Sequence, residues 1–328
     1  MNCTASILIP AYNAERWIGS ALESALQQSW PHTEIIVVDD GSTDHTFAVA
    51  QRYQNAKVKV LHQENRGAAA ARNAAIREAQ GDFIQYLDAD DLLSTNKVEE
   101  QVLLLQSNPE CLAVSPSFYF YDGQNPDSGL DERSGVMDSN DPVKWLTELL
   151  GPDGPFGTVP PGAWLTPRSV AERAGPWDDS VRSPDDDGEY FARAVLTSHG
   201  IRGGRTGRFY YRKFRQGGSY SSTPSEELLW GRLHSLNCKA KWLLARTSDP
   251  RAYRALANRY LDLAFGAYPS FPKLTDEALR KAQEMGGTDY IPRFGTWKGN
   301  FLSRVLGWKV TKKLNAAFHQ NACSPKHE

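Results

Sequence analysis

The chain has few cysteines, little net charge and no long apolar run, and each absence narrows the class of protein. Its 328 residues include four cysteines, Cys3, Cys111, Cys238 and Cys323, which are widely scattered. They show no metal-ligand spacing, and a disulfide framework is not expected in a chain of this length. No apolar run approaches the roughly 20 residues that span a bilayer. A formal net charge of −2 argues against binding of nucleic acid through a basic face.

Two further absences concern targeting and nucleotide binding. The first residues lead directly into a strand pattern without the features of a signal peptide, so we expect a cytoplasmic protein with reduced cysteines. No glycine-rich phosphate loop follows that strand, because Pro10, Ala11, Tyr12 and Asn13 stand in its place. A dehydrogenase or a nucleotidyltransferase on a similar sheet therefore lacks support.

The first hundred residues show an alternation of strand and helix patterns. Strand patterns occupy residues 6–10, 34–40, 57–62 and 83–87, and helical patterns occupy residues 15–28, 44–53 and 68–79. This alternation with short links predicts an α/β domain, in which a mostly parallel, Rossmann-like sheet is flanked by helices. From residue 226 onward the pattern is helical for most of the chain. We therefore predict an α/β domain over residues 1–222 and a helical C-terminal extension over residues 223–328.

Three carboxylates stand within four positions at the end of the fourth strand pattern. Asp88, Asp90 and Asp91 follow directly on an apolar run, and carboxylates packed so closely repel one another. A hard divalent cation such as Mn²⁺ or Mg²⁺ would explain the cluster, since both prefer oxygen ligands and keep positions open for phosphates. The pattern favours an enzyme that acts on a diphosphate compound. A cluster that caps the helix beginning near Thr95 is the alternative interpretation.

Polar clusters also follow the first two strand patterns. They lie at residues 10–13 and 39–44, and the carboxyl ends of parallel strands meet at the edge of a sheet where ligands bind. We therefore expect these two clusters and the aspartates at 88–91 to form one site. Taken alone, Asp39 and Asp40 could simply form a turn that leads into a helix.

The same segments resemble the motifs of family 2 glycosyltransferases in order and spacing. The matching stretches are residues 7–13 (ILIPAYN), 37–44 (VVDDGSTD), 65–67 (NRG), 71–73 (ARN), 86–91 (YLDADD), 175–180 (GPWDDS) and 186–189 (DDGE). The resemblance covers residues 4–222. It implies a glycosyltransferase A fold, a nucleotide-sugar donor that we expect to be UDP-linked, a divalent metal and inversion at the anomeric carbon.

The resemblance also assigns roles to individual residues. The residues it implies for nucleotide-sugar binding are Pro10, Ala11, Tyr12, Asn13, Asp39, Asp40, Arg72, Asp88, Ala89 and Asp90. An aspartate at 40, with Asp39 beside it, suits a uracil base because it accepts the ring N–H. Arg72 would lie near the base or the phosphates, although a surface position on its helix is the alternative. Asp88 would contact the ribose or the metal, which is Mn²⁺ or Mg²⁺. Asp90 or Asp91 would bind the metal and the diphosphate, and the choice between these two stays open.

The proton acceptor is expected in a third acidic run, at residues 185–187. Asp187, or Asp186 if the alignment shifts by one residue, would take the proton of the acceptor hydroxyl. A solvated acidic turn before a helix is the plain alternative. Phe214 departs from the family pattern, since a histidine is usual there. Arg212, Arg215 or Ser219 could make the contact with the diphosphate that the histidine makes in the family.

The Gln-x-x-Arg-Trp motif of processive polysaccharide synthases is absent. We therefore predict transfer of a single sugar to a glycan, lipid-linked or other hydroxyl acceptor in the synthesis of a polysaccharide, glycolipid or glycoconjugate. A non-catalytic nucleotide-sugar-binding or scaffold protein of the same fold is the alternative.

Two further stretches carry weaker signals. Residues 294–318 alternate tryptophan and other apolar residues with lysines and arginines. Such a helix packs on the catalytic domain or lies peripherally on the inner face of an anionic membrane. His62, His199 and His234 have no partners at metal spacing, and we predict structural roles for them.

Overall fold

The computed structural model describes residues 3–127, 131–132, 138–151, 159–214 and 225–314. Its strands are β1 (Ala5–Ala11), β2 (Thr33–Asp40), β3 (Val58–Gln63), β4 (Phe83–Tyr86), β5 (Leu92–Leu93), β6 (Leu112–Val114), β7 (Ser117–Tyr121), β8 (Asp131–Glu132), β9 (Trp164–Pro167), β10 (Ile201–Gly203) and β11 (Phe209–Lys213). Its α-helices are α1 (Ile18–Leu26), α2 (Thr46–Gln51), α3 (Ala68–Glu78), α4 (Lys97–Gln106), α5 (Pro142–Leu150), α6 (Arg168–Ala174), α7 (Asp186–Thr197), α8 (Glu226–Leu244), α9 (Pro250–Ala267), α10 (Pro272–Glu284) and α11 (Trp297–Leu306).

The larger sheet brings the polar strand ends together. Its order is β10-β6-β9-β4-β1-β2-β3, and every neighbouring pair is parallel except those that β9 makes with β4 and β6. All of β1 is buried, as expected for a central strand covered on both faces. Ala11 lies opposite Asp39, and Leu8 lies opposite Tyr86, so the carboxyl ends of β1, β2 and β4 share one edge. The predicted mostly parallel α/β sheet is confirmed.

A smaller sheet in the order β5-β11-β7-β8 stands beside this edge. In it, β11 is parallel to β7 and antiparallel to β5. Both β7 and β11 are rich in aromatic residues, with the sequences SFYFY and FYYRK. The backbone N–H of Arg212 on β11 donates to the Asp91 carboxylate at 2.8 Å, so this sheet closes over the aspartates that follow β4.

A cluster of buried aromatic rings fixes α7 against the larger sheet. Trp177 stacks on Tyr190 with ring centroids 4.2 Å apart, and Tyr86 of β4 meets Trp177 edge-on at 5.0 Å. Phe191 stacks on Trp164 of β9 at 5.1 Å. Aromatic pairs of this kind contribute roughly 0.5–1.5 kcal/mol each beyond the area they bury. They hold the first turn of α7 at a fixed place relative to the end of β4.

The C-terminal helices share the core of the α/β region. Side chains of α8 and α9 in this common core include Leu233, Leu236, Leu243, Leu256 and Tyr260. The boundary predicted at residue 222 lies outside the described residues, and the division into domains at 1–222 and 223–328 stays a prediction. Within the described part of the chain, no helix is long and apolar enough to cross a membrane.

Two helices begin later than the sequence pattern predicts. A turn closed by the bond from the Trp17 N–H to the Ala14 carbonyl precedes α1, which starts at Ile18. Asp44 does not occupy the N-cap position of α2, where His45 stands. Its carboxylate accepts instead from the backbone N–H groups of Thr46 and Glu15, at 2.9 and 3.2 Å. This aspartate thus joins the loops that follow β1 and β2.

Candidate active site

A cavity of about 1430 Å³ opens at the carboxyl edge of the larger sheet. Single-ligand pockets usually measure about 300–1,000 Å³, so this cavity has room for a nucleotide sugar together with part of an acceptor. Of the predicted site residues, those that line it are Pro10, Ala11, Tyr12, Asn13, Asp40, Arg72, Asp88, Ala89, Asp90, Asp91, Asp186 and Asp187. The structure thus gathers the three polar strand ends and the start of α7 around one space.

Asn13 locks the loop after β1 to the loop after β2. It adopts the left-handed conformation, with φ of 48°, which asparagine tolerates better than most residues. Its side-chain oxygen accepts from the Thr43 N–H at 2.8 Å, and its own N–H donates to the Ser42 hydroxyl at 3.0 Å. The neighbouring Tyr12 is left 52% exposed at the mouth of the cavity. An aromatic ring in this position offers a flat face to a nucleobase.

Asp40 and Asp39 point to opposite faces of the sheet, as successive strand residues must. Asp40 lines the cavity and accepts hydrogen bonds from the Gln63 side chain and the N–H groups of Arg66 and Gly67, at 2.7, 2.9 and 2.8 Å. A carboxylate offers about four lone pairs, which leaves one for a ligand on the Asp40 oxygen that binds Gly67. Asp39 is buried against His62 at 2.7 Å, and the structure does not bring it into the cavity.

Arg72 joins the end of β4 to the start of α7. It is 4% exposed, donates to Asp88 at 2.8 Å and to Asp186 at 3.0 Å, and lies over the Trp177 ring at 4.4 Å. Burial alone would lower the pKa of Arg72, but the carboxylates of Asp88 and Asp186 raise it above its ordinary value. The alternative of a surface residue is therefore wrong. Asn73 completes the joint, because its amide pairs with both the N–H and the carbonyl of Trp177 at 2.9 Å.

The aspartates after β4 differ in burial and in partners. Asp88 is 28% exposed and paired with Arg72, whereas Asp91 is 1% exposed and accepts the Arg212 N–H. Burial, reinforced by the charge of Asp88, raises the pKa of Asp90 to about 6. Burial and the charges of Asp90 and Asp88 raise the pKa of Asp91 well above its ordinary value. Within the described residues, no lysine, arginine or histidine forms an ion pair with either carboxylate.

This donor set fits a divalent metal. Every donor atom that the cluster presents is a carboxylate oxygen, the ligand type that Mg²⁺ and Mn²⁺ prefer. Burial raises the pKa of Asp90 and of Asp91, and no ion pair to either carboxylate is present among the described residues. A cation bound there would supply the missing charge.

Arg212 is held away from these carboxylates by its other contacts. Its guanidinium donates to Asp122 at 3.0 Å and to the backbone carbonyl of Asp90 at 2.7 Å. Phe214, which stands where the family has histidine, lines the cavity and packs on Trp17 with ring centroids 5.0 Å apart. Arg215 and Ser219, the other predicted substitutes, lie outside the described residues.

Two of the three aspartates at the start of α7 are paired with a basic side chain. Asp185 accepts from Lys239 of α8 at 2.5 Å, and Asp186 accepts from Arg72. A side chain at Gly188 would place its Cβ 2.2 Å from an Asp185 oxygen, so a glycine is needed beside this pair. Asp187 has no ion-pair partner among the described residues. Burial and the charges of Asp186 and Asp185 raise its pKa to about 7.

The free energy of unfolding of the metal-free protein should fall as the pH rises. Asp90 and Asp187 have folded pKa values of about 6 and about 7, above the roughly 3.9 of an unfolded aspartate. Their contribution is therefore complete below pH ~4 and is lost as the pH rises through the folded values. Urea unfolding in EDTA at about pH 5 and pH 8 would measure the loss. Asp90→Asn should reduce it, and an unchanged pH dependence in that variant would contradict the assignment.

His234 belongs to a cluster that the sequence interpretation missed. His234 and Cys238 stand four residues apart on α8, a spacing that places both on one face of the helix. The carboxylate of Asp178 lies 2.7 Å from the His234 ring. Donor atoms of the three residues lie within 4.8 Å of one another. The expectation that His234 lacks partners at metal spacing is therefore wrong. None of the three residues lines the large cavity.

Comparison with known structures defines the fold. S. aureus TarS, in its complex with UDP-GlcNAc, superposes with a TM-score of 0.56 at 17% identity, over 89% of this chain and 95% of that one. Likeness at this identity concerns the fold, which is the glycosyltransferase A fold. The expectation for the fold class is thereby confirmed.

Sequence comparison gives the family. The model of Glycosyl transferase family 2 matches residues 6–174, and the chain belongs to this family. WfgD of Escherichia coli, a UDP-Glc:α-D-GlcNAc-diphosphoundecaprenol β-1,3-glucosyltransferase, is 39% identical over 104 residues, 31% of this chain and 41% of WfgD. The glycosyltransferase GlyG of Streptococcus pneumoniae is 36% identical over 120 residues, 36% of this chain and 40% of GlyG. The chain thus spans about two fifths of the length of these curated relatives.

Proposed function

We propose that the chain is an inverting, metal-dependent glycosyltransferase that moves one sugar from a UDP-sugar to an acceptor hydroxyl. The observation that carries the proposal is the cavity that joins Asp40, the aspartates after β4 and Asp187. Asp40 supplies a hydrogen-bond acceptor for the nucleobase, and the aspartates after β4 supply ligands for a metal that binds the diphosphate. Asp187 supplies a carboxylate without a counterion among the described residues.

The nucleoside is proposed to bind between the loops after β1 and β2. The remaining lone pair of Asp40 accepts the ring N–H of uracil, and the Tyr12 ring stacks on the base. The Gln63, Arg66 and Gly67 donors hold the Asp40 carboxylate in place, so little side-chain freedom is lost on binding. Support comes from UDP-GlcNAc in TarS and from the UDP-Glc donor of WfgD.

The metal is proposed to bind to Asp88 and Asp90. Asp91 has one oxygen engaged by the Arg212 N–H, which leaves it a smaller share of the coordination. When bound, Mn²⁺ or Mg²⁺ supplies charge neutralisation for the departing diphosphate. Arg72 donates to one oxygen of Asp88, so this arginine orients a proposed metal ligand and is a positioning residue rather than a catalytic one.

Asp187 is proposed as the general base. Asp185 and Asp186 each pair with a basic side chain, whereas Asp187 has no counterion among the described residues. Its carboxylate takes the proton of the acceptor hydroxyl while the hydroxyl oxygen bonds to the anomeric carbon. The bond between that carbon and the diphosphate oxygen breaks on the opposite face, and the configuration is inverted. UDP leaves with the bonding electrons.

The acceptor is proposed to be a glycan or a lipid-linked sugar of cell-envelope synthesis, used at the cytoplasmic face of a membrane. Support comes from WfgD, which acts on a sugar linked to diphosphoundecaprenol. The size of the cavity, about 1430 Å³, accommodates such a bulky acceptor beside the donor.

A thermal-shift panel of nucleotide sugars tests the proposal. We expect UDP-sugars to raise the Tm in the presence of Mn²⁺ and to have much less effect in EDTA, because ligands that bind only the native state stabilise it. ADP- and GDP-sugars serve as matched controls for the base. Equal stabilisation by all three bases, or by UDP-sugars in EDTA, would contradict a metal-dependent uridine site.

Turnover should rise with pH through about 7. The pKa of Asp187 is raised to about 7, and only its ionised form accepts a proton. We expect log kcat/KM to climb with unit slope below that pH and to level off above it. A flat profile between about pH 6 and pH 8 would contradict the assignment of the base.

A further inference from the structure

The last described stretch of the chain has a charge unlike the rest. Residues 291–314 contain six lysines and arginines and no aspartate or glutamate, whereas the whole chain has a formal charge of −2. The basic residues are Arg293, Lys298, Arg304, Lys309, Lys312 and Lys313. A concentration of one sign on a short segment produces a local positive potential at an otherwise weakly acidic surface.

Within this stretch, α11 presents its large apolar residues outward. Trp297, Phe301 and Val305, spaced four residues apart, are 74%, 62% and 65% exposed. The residues that face inward are the small Gly299 and Ser303. A helix on the surface of a globular protein has the reverse arrangement, with its apolar stripe toward the core.

The helical residues 308–314 continue the same arrangement. Val310 and Leu314 are 48% and 39% exposed, while Thr311 is fully buried. We call the exposed residues Trp297, Phe301, Val305, Leu306, Val310 and Leu314 the C-terminal apolar face.

The inward side of this segment is already anchored on α9. The Trp308 ring lies 5.7 Å from Phe265 and 5.6 Å from Tyr268, and Phe294 meets Phe265 edge-on at 5.0 Å. Lys312 donates to the Phe265 carbonyl. These contacts are made to α9, in the region predicted as the C-terminal extension, and they leave the C-terminal apolar face exposed.

We propose that the C-terminal apolar face docks on an anionic lipid bilayer. Exposed tryptophan and aliphatic side chains enter the interface between headgroups and acyl chains, while the flanking lysines and arginines meet anionic headgroups. Charge decides between possible occupants. A second copy packed on the same face would bring an equally basic segment against the first, and like charges across an interface disfavour that contact.

Membrane docking would place the large cavity near the lipid surface. Arg259, Asp262 and Leu263 of α9 line the cavity. Phe265 of the same helix and Tyr268, the residue after its end, contact the C-terminal segment. A lipid-linked acceptor could then reach the site without leaving the bilayer. This consequence rests on the proposed function, whereas the docking itself does not.

Flotation of the full chain with vesicles tests the apolar half of the proposal. We expect binding to vesicles of phosphatidylglycerol and phosphatidylcholine, and a loss of at least about tenfold in partitioning for the double variant Trp297→Ser, Phe301→Ser. The control Leu103→Ser, Trp242→Ser removes apolar side chains that are 53% and 42% exposed on other helices. The control should bind as the wild type does, and both variants should keep the Tm of the wild type because these side chains are exposed.

Charge neutralisation tests the electrostatic half. The triple variant Lys298→Gln, Arg304→Gln, Lys313→Gln should lose roughly a hundredfold in partitioning, at about fivefold for each charge. The control Arg52→Gln, Lys57→Gln, Arg77→Gln removes the same charge from exposed sites elsewhere. Binding should also weaken at about 1 M salt, where screening is short-ranged.

Three results would overturn the proposal. The first is that the wild type does not float with anionic vesicles. The second is that the wild type and the Trp297→Ser, Phe301→Ser variant float equally. The third is that the wild type binds pure phosphatidylcholine vesicles as strongly as anionic ones. Light scattering addresses the competing occupant. A lipid-free dimer that this double variant abolishes would assign the face to a second copy of the chain. None of these readouts depends on sugar transfer, so they fail or succeed separately from the proposed activity.

Discussion

Asp187→Asn is expected to reduce kcat by about 10²–10⁴, the range that a positioned general base contributes. The asparagine keeps the size of the side chain and its bond to the Gly188 N–H at 2.8 Å, but it cannot accept a proton from the acceptor hydroxyl. Donor affinity should be almost unchanged. UDP release with the donor that the thermal-shift panel identifies would measure the effect, with Kd for UDP and Mn²⁺ determined beside it.

Asp186→Asn is the matched control for this prediction. It changes the adjacent carboxylate, which accepts a hydrogen bond from Arg72 at 3.0 Å. We expect a smaller loss of kcat and a rise in the donor KM, because Arg72 also orients Asp88. A larger kcat defect in Asp186→Asn than in Asp187→Asn would transfer the role of base to Asp186.

Asp90→Asn is expected to abolish the metal dependence of donor binding and to lower turnover by at least about 10². The substitution removes the negative charge of a proposed metal ligand, and this carboxylate has no counterion among the described residues. A metal that binds phosphate contributes several kcal/mol of charge stabilisation. The same change should raise the Tm of the metal-free protein above pH ~6, since the pKa of Asp90 is raised to about 6 by burial. Calorimetric titration with Mn²⁺ and thermal melts would measure both effects.

Asp91→Asn separates metal binding from local structure. The asparagine oxygen can still accept the Arg212 N–H, so the contact with β11 is kept. We expect Mn²⁺ affinity to fall less than in Asp90→Asn. Equal losses in the two variants would show that Asp91 is a full ligand, and normal turnover in Asp90→Asn would refute metal-dependent transfer through this cluster.

Local patterns were sufficient to predict the sheet and the place of the site. Apolar runs mark β1 and β2, and the polar residues at or just after their ends are brought to one edge by the parallel pairing of Ala11 with Asp39. The order β1-β2-β3 follows the chain, because consecutive strands tend to lie side by side. This is why the strand and helix patterns alone are enough to join residues 10–13, 39–44 and 88–91 into one site.

The counterions of the acidic residues could not be predicted in this way. Arg72 and Asp186 are 114 positions apart, and Asp185 and Lys239 are 54 apart. Such pairs depend on how α3, α7 and α8 pack, and a single sequence carries no local signal for that packing. The same limit applies to Asp39, which lies against His62 of β3 on the face of the sheet opposite Asp40.

The central claim is that one cavity binds UDP through a metal held by the aspartates after β4. Calorimetric titration of UDP into the full chain, with Mn²⁺ and then with EDTA, tests it most directly. We predict a single site whose affinity falls at least tenfold in EDTA, and whose metal dependence disappears in Asp90→Asn. Binding of UDP with equal affinity in Mn²⁺ and in EDTA, or Mn²⁺-dependent binding that survives in Asp90→Asn, would contradict the claim.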